Sequence, residues 1–261
     1  MKWVADISME RSWLVKATAA GCAVALFSTN VPDAFGAGGR DAKLATVKGI
    51  AAYNKGDYAL AFHLLQSAAN QGDSDAEVNL GYMYARGQAV QADQAEALRL
   101  YRLSAESGNG EGMNAIAYKY TFGTGVPVDM KMAVRWYCRA IGLGNPRALT
   151  NLGSLHAKGQ GIAVDMDEAV DLWHQAAAMG HANAMFDLGV TLVQMIGTPS
   201  HETEGKAWII RAAQLGQPAA INWLRSNNYG GPLPQPIDTT GRMMLAPPKA
   251  PSGNAKECTV S

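Results

Sequence analysis

The chain has 261 residues, with 22 basic and 22 acidic side chains, and 48% of its residues are hydrophobic. This length is sufficient for one or two domains with a buried core, and the hydrophobic content excludes a mostly disordered chain. The zero net charge removes the usual electrostatic basis for binding nucleic acid. Three cysteines are too few for a disulfide-dense scaffold. The 28 glycines can mean linkers, turns or close packing, and that choice decides the fold.

The first 37 residues have the three-part pattern of a secretory signal peptide. A start that contains Lys2, Arg11 and Lys16 precedes an apolar stretch over residues 17–27, and small residues around Ala34 to Ala37 offer a cleavage site. The apolar stretch is about half the roughly 20 residues that a membrane span needs. A buried N-terminal helix is the alternative. We therefore predict a signal peptide over residues 1–37, a periplasmic or secreted location, and a mature chain without a transmembrane span.

A 36-residue repeat fills the middle of the chain. Several columns of residues recur at this interval, each with one residue type or a few similar ones. They are Gly72, Gly108, Gly144, Gly180 and Gly216; Leu80, Ile116, Leu152 and Leu188; Ala61, Ala97, Ala133 and Ala169; and Asp57, Asp93, Asp129 and Asp165. Such a period indicates stacked supersecondary units. We count five units over residues 41–216 and a closing helix near Pro218 to Arg225.

Each unit is predicted to contain two helices. In the unit that starts at Asn145, this residue is a good N-cap and Pro146 suits the first helical position. Glycines at 159 and 161 end the first helix. Asp165 caps the second helix, and Glu168 completes a capping box. Ser74 and Glu77 are expected to form the same device in an earlier unit.

The repeat pattern predicts an all-α fold. Gly or Ala at positions 81, 117, 153 and 189 is expected to let helices approach closely, and one helix pair alone cannot bury both of its faces. We therefore predict an α-solenoid of about five 36-residue helix-turn-helix units over residues 38–226, wound as a right-handed superhelix. Residues 227–261 contain six prolines and no helical pattern, and are predicted to be a disordered Pro-rich tail.

The repeats resemble the Sel1-like repeat family. The resemblance rests on the segments MNAIAYKYTFGTGVPVDMKMAVRWYCRA and ALTNLGSLHAKGQGIAVDMDEAVDLWHQAA. Both have the G-x-G-[VI] turn of the family pattern, and the second also has its LG pair and a D-x2-EA segment close to its D-x2-KA. The tetratricopeptide repeat is related but has 34 residues, and the first unit here is more similar to it. The resemblance implies an α-solenoid that acts as an adaptor or regulator, which in bacteria is often exported. Some members regulate envelope signalling or exopolysaccharide synthesis.

The sequence contains no recognisable catalytic or metal-binding pattern. The five histidines lack metal-ligand spacing, and no nucleophile-elbow, zincin or phosphate-loop motif is present. His156 is expected to be a packing residue, because it shares a column with Tyr84 and Tyr120. We therefore predict no enzyme activity, no cofactor and no metal. One branch of the family is cysteine-rich and acts on β-lactams, but its cysteine framework is missing here.

The concave face of the solenoid is the predicted binding site. In this architecture the first helices line that face, and the columns assigned to the core are excluded from it. The remaining candidates combine aromatic anchors with amide donors and cations, which suits the binding of a peptide or helix. They are Asn79, Tyr82, Arg86, Asn114, Tyr118, Phe122, Asn151 and Lys158.

The prediction is thus a protein-interaction scaffold or regulator of the bacterial envelope, with a protein or peptide partner and no nucleic acid. Two alternatives remain open: a cell-wall or β-lactam-acting enzyme, and a host-delivered effector. The second rests on the last four residues, which start at Cys258 and match a prenylation motif. A bond between Cys138 and Cys258 would compete with that modification, and the sequence leaves the pairing open.

Overall fold

The computed structural model describes residues 34–194, 199–227, 229 and 258. The chain divides into two units, Met1–Ala37 and Gly38–Ser261. The elements below belong to the second unit, apart from the first four residues of the first helix. Most of the predicted signal peptide, and most of the predicted tail, lie outside the described residues.

The described residues form eleven α-helices and no strand. In chain order they are α1 (Ala34–Asn54), α2 (Tyr58–Ala69), α3 (Ser74–Arg86), α4 (Gln94–Glu106), α5 (Gly110–Phe122), α6 (Met130–Gly142), α7 (Pro146–Lys158), α8 (Met166–Ala178), α9 (Ala182–Gln194), α10 (Pro199–Gln214) and α11 (Pro218–Ser226). From α2 to α11, consecutive helices contact one another, and α3 and α7 both contact α5. The predicted all-α solenoid is confirmed, including the closing helix α11.

An aspartate at the same position begins the second helix in each of the first four units. Asp57, Asp93, Asp129 and Asp165 are all N-caps whose side chains accept backbone N–H bonds, as predicted. The backbone N–H of Asp165 also donates to the carbonyl of His156 at 3.2 Å, and Asp93 and Asp129 make the same bond in the two preceding units. The turn between the two helices of a unit is therefore closed by repeated backbone bonds.

The prediction that Ser74 caps α3 is wrong. The N-cap is Asp73, whose Oδ1 accepts from the backbone N–H of Ala76 at 2.9 Å, and Ser74 is the first helical residue. The reason is the preceding Gly72, whose φ of 79° turns the chain so that position 73 is extended. Asn109 and Asn145 occupy the same position and cap their helices in the same way.

The small-residue column lies where the two helices of a unit cross. A Cβ added to Gly153 would lie 2.8 Å from Nε1 of Trp173, and one added to Gly81 would lie 2.5 Å from Cε1 of Tyr101. Trp173 in turn donates from Nε1 to the carbonyl of Thr150 at 3.1 Å. In these two units, the second helix therefore presses a large ring against a glycine of its own first helix.

The core consists of two clusters of buried side chains, one from α1 to α4 and one from α4 to α11. The alanine column at positions 61, 97, 133 and 169 is fully buried, and the Leu and Ile side chains of the column at positions 80, 116, 152 and 188 are buried too. His156 is also buried, in agreement with the prediction that it packs. Burial of these apolar side chains is the main favourable contribution to stability.

The structure joins Cys138 of α6 to Cys258 by a disulfide, with Cα atoms 5.3 Å apart. This separation is within the usual range for such a bond. The bond settles the pairing that the sequence left open. A prenyl group on Cys258 would require a free thiol, so in this structure the motif for that modification is blocked.

Replacing Gly153 with alanine is expected to destabilise the fold by about 1–3 kcal/mol, because the new methyl group overlaps Trp173. Chemical denaturation measures this change. Gly142→Ala is the matched control, because a Cβ there meets nothing within 4 Å, and its effect should stay within about 0.5 kcal/mol. Equal effects of the two substitutions would contradict the close-approach role of Gly153.

Candidate binding groove

The first helices of the units together line one groove of about 700 Å³. Its lining comes from α1, α3, α5 and α7, from Tyr101 of α4, and from the start of α9 with the residue before it. Six of the eight residues predicted to bind a partner line it: Asn79, Tyr82, Arg86, Asn114, Tyr118 and Asn151. The 36-residue period places these side chains together, since each comes from the first helix of a unit.

The other two predicted residues lie differently. Phe122 is 54% exposed, and its ring lies 4.4 Å from that of Tyr118, which is 49% exposed. These two rings form an exposed aromatic pair on α5 at the groove. Lys158 lies at the end of α7 and is not among the residues that line the groove.

Tyr82 is part of the groove wall and is not an open anchor. Its hydroxyl donates to Oε1 of Glu111 at 2.6 Å, and its ring packs edge-on against Tyr101 at 5.4 Å between centroids. Burial, with the nearby charge of Glu111, raises the pKa of Tyr82 far above its usual value. The phenol therefore stays neutral and holds α3 to α5.

Two carboxylates connect neighbouring units along the N-terminal ends of the first helices. Glu111 accepts from Tyr82, from Asn145 Nδ2 at 3.0 Å and from Arg147 at 2.9 Å. Asp75, one repeat earlier, accepts from Lys43 and from Asn109, both at 2.7 Å. The hydrogen bond from Lys43 is the largest cause that lowers the pKa of Asp75. The link between the asparagine and the carboxylate recurs, since Asn109 and Asn145 share one column and Asp75 and Glu111 share another, but the columns alone did not show that these side chains contact each other.

Lys119 is a groove residue that the sequence analysis missed. It stands in a core column, where the equivalent residues Met83 and Leu155 are 0% and 3% exposed. Lys119 is itself only 5% exposed, and its ammonium group donates to the side chain of Gln94. Burial lowers its pKa. Core columns were excluded from the predicted site, although a lysine in such a column is a signal that the sequence contains.

Thr150 and His181 form a polar pair at the far end of the groove. Oγ1 of Thr150 lies 2.8 Å from Nδ1 of His181 and donates to the carbonyl of Pro146 at 2.8 Å. Burial lowers the pKa of His181, so its ring is neutral at pH 7.

Within the part of the chain that the structure describes, no three His, Cys, Asp or Glu side chains are grouped to hold a metal ion. None of the described helices is long and apolar enough to cross a membrane.

The family model of the Sel1 repeat matches five consecutive segments of the chain. They are residues 43–73, 74–109, 110–145, 146–181 and 182–217. These segments coincide with the five helix pairs, so the match and the fold agree on the unit boundaries. A search of curated proteins gave no match.

Solved structures with the same architecture come from several bacteria. A Sel1 repeat protein from Oxalobacter formigenes is 25% identical, with a TM-score of 0.60, and the match covers 75% of this chain and 81% of that one. A putative Sel1 repeat protein from Klebsiella pneumoniae is 20% identical, with a TM-score of 0.53 and coverages of 71% and 92%. The immunity protein Pa5087 from Pseudomonas aeruginosa is 21% identical, with a TM-score of 0.52 and coverages of 73% and 76%. The last two likenesses show the fold alone.

Asp187→Asn is expected to stabilise the protein at neutral pH. Burial raises the pKa of Asp187 to about 6, and nearby Lys158 acts in the opposite direction. Because the folded state keeps this proton longer than the unfolded state, stability falls as the pH rises from about 4 to about 6. The substitution should flatten that part of the pH profile and add on the order of 1–2 kcal/mol at pH 7.

The substitution also restores the residue type of Asn79 and Asn151, which occupy the same column. Urea denaturation across the pH range measures the effect. Asp171→Asn removes an exposed carboxylate of α8 and serves as the control. An unchanged pH profile in Asp187→Asn would show that Asp187 titrates normally.

Proposed function

The chain belongs to the Sel1 repeat family, and on that premise we propose that it is a protein-interaction scaffold of the bacterial envelope. In this proposal, a segment of the partner protein lies in the groove of the first helices. The single observation that carries the proposal is the groove itself. It extends over all five units and combines an exposed aromatic pair with amide and cationic side chains.

The chemistry of the groove suits a peptide. Tyr118 and Phe122 offer an exposed aromatic surface of the kind that anchors a partner side chain. Asn114 and Asn151 lie beside each other, with Nδ2 of Asn151 donating to Oδ1 of Asn114 at 3.0 Å. Amide side chains can both donate to and accept from a peptide backbone. Apolar anchors next to amides are the combination that holds an extended segment.

Two observations support a place in the envelope. The first 37 residues have the pattern of a signal peptide. The disulfide between Cys138 and Cys258 is of a kind that persists mainly in oxidising compartments such as the periplasm.

A catalytic role has less support. Sel1 repeat folds are typically scaffolds without enzyme activity. One pair in the groove, Thr150 with His181, could be compared to a nucleophile and its base, but there the hydroxyl of Thr150 donates to the carbonyl of Pro146 at 2.8 Å. A base would have to accept the proton instead. We therefore assign recognition, and no reaction, to the groove.

Changing both exposed rings, Tyr118→Ala with Phe122→Ala, is expected to abolish capture of the partner from the envelope fraction of the source bacterium. The rings are half-exposed, so the melting temperature should change little. Cross-linking followed by affinity purification and mass spectrometry measures capture. A matched control, Leu143→Ala with Val164→Ala, removes two exposed apolar side chains outside the groove lining. Capture that survives the Tyr118 and Phe122 changes would contradict the proposed site.

Peptide mapping without reducing agent should find Cys138 and Cys258 in one cross-linked peptide when the chain is exported to the periplasm of a bacterial host. Cell fractionation of the same culture should recover the protein outside the cytoplasm and shortened at its N-terminus. Recovery of the full chain in the cytoplasm with free thiols would contradict the envelope location.

A further inference from the structure

The groove is positively charged although the chain as a whole is neutral. The described residues that line it include Arg86, Lys119 and Arg147, and no Asp or Glu. His181 adds no charge at pH 7, because burial lowers its pKa. Among the described residues, the acidic side chains thus lie outside this lining, so the even balance of 22 acidic and 22 basic residues in the chain does not hold within the groove.

Arg147 and the other two cations differ in their partners. Arg147 is paired with Glu111 at 2.9 Å. Arg86 donates to the hydroxyl of Tyr53 at 2.8 Å, and Lys119 donates to the side-chain carbonyl of Gln94. Among the described residues, no carboxylate oxygen lies within ion-pair distance of Arg86 or Lys119. The groove thus holds two cations whose hydrogen-bond partners are neutral.

These two cations flank one pair of rings. The guanidinium of Arg86 lies 5.7 Å from the centroid of the Tyr82 ring, and the ammonium of Lys119 lies 5.9 Å from that of Tyr101. The two rings contact each other edge-on. An aromatic face attracts a cation but does not neutralise its charge. The rings therefore position the charges and leave both available to an anion.

Lys119 costs stability where it lies. Its column holds Met83 and Leu155 in the neighbouring units, and burying an ammonium group without a counter-charge is unfavourable. A residue that breaks the pattern of its column at such a cost is a candidate for function. A carboxylate brought by a ligand would supply the missing counter-charge.

We propose that the groove binds an extended peptide segment that carries an Asp or Glu side chain, which pairs with Lys119 and Arg86 while an adjacent apolar residue packs on Tyr118 and Phe122. This inference rests on the proposed function and names the chemistry of the partner. The acid is an internal side chain, because the groove continues past both cations. Ile50 and Tyr53 line it on one side of them, and Thr150 and Asn183 on the other.

A displayed library of random linear peptides provides the probe, selected on the purified protein. The expected binders carry an Asp or Glu beside an apolar residue. A synthetic binder should lose affinity when its acid is replaced by the matching amide, and the affinity should fall as salt is raised. Converting the C-terminal carboxylate of the peptide to an amide should leave its affinity unchanged.

Lys119→Met is the decisive variant, because it restores the residue type of Met83 in the same column. It should melt at the same temperature as the original protein or higher, and bind the acidic peptide about thirtyfold or more weakly. Arg86→Gln removes a more exposed charge, so it should weaken binding less and reduce the salt dependence. Lys131→Met is the control, since it removes an exposed lysine of α6 outside the groove lining. It should bind as the original protein does.

The outcomes separate the two levels of the proposal. One outcome would be uncharged peptides that still bind Lys119→Met but no longer bind the variant with Tyr118→Ala and Phe122→Ala. That result would overturn the acidic chemistry and leave the groove as the binding site. Peptides that bind both variants as tightly as they bind the original protein would overturn the groove as the binding site as well. Loss of binding on C-terminal amidation would show that the acid is a chain end, and would overturn the internal segment. A library without any binder would overturn the peptide inference.

Discussion

The close crossing of the two helices within each unit is the constraint on which the rest of the structure depends. A large side chain of the second helix, such as Tyr101 or Trp173, lies directly against a glycine of the first helix. There is no room for a Cβ at Gly81 or Gly153. The second helices thereby hold the first helices in a common register, and the groove follows from that register.

Two kinds of residue lie in and behind the groove lining. Glu111 and Asp75 accept hydrogen bonds from neighbouring units and make the wall continuous. Lys119 weakens the core and remains without a counter-charge among the described residues. The carboxylates stabilise the fold. The position of Lys119 has a physical reason only if a ligand binds there. The unbalanced cation therefore says more about the function of this chain than the solenoid fold does, because the whole family shares that fold.

The fold could be predicted from the sequence because each unit repeats the same local signals. Asp165 and its equivalents begin the second helices, and glycines such as Gly180 end them, so these local signals are sufficient to place the helix pairs. Ser74 was misplaced as a cap because Asp73 beside it is an equally good cap, and only the turn at Gly72 decides between them.

The site was less predictable, because the period shows which positions recur but not which side chains of neighbouring units contact each other. The period indicated that Asn79, Tyr82 and Arg86 face the same side, but not that Tyr82 is bound to Glu111. The bond between Cys138 and Cys258 joins positions 120 residues apart, a distance over which a local pattern has no predictive value. Lys119 was passed over because its column was assigned to the core as a whole.

Hydrogen–deuterium exchange tests the central claim most directly, namely that the first helices hold the partner. With a selected peptide bound, the account predicts slower exchange in α3, α5 and α7, and little change in α4, α6 and α8. Slower exchange confined to the second helices would contradict it.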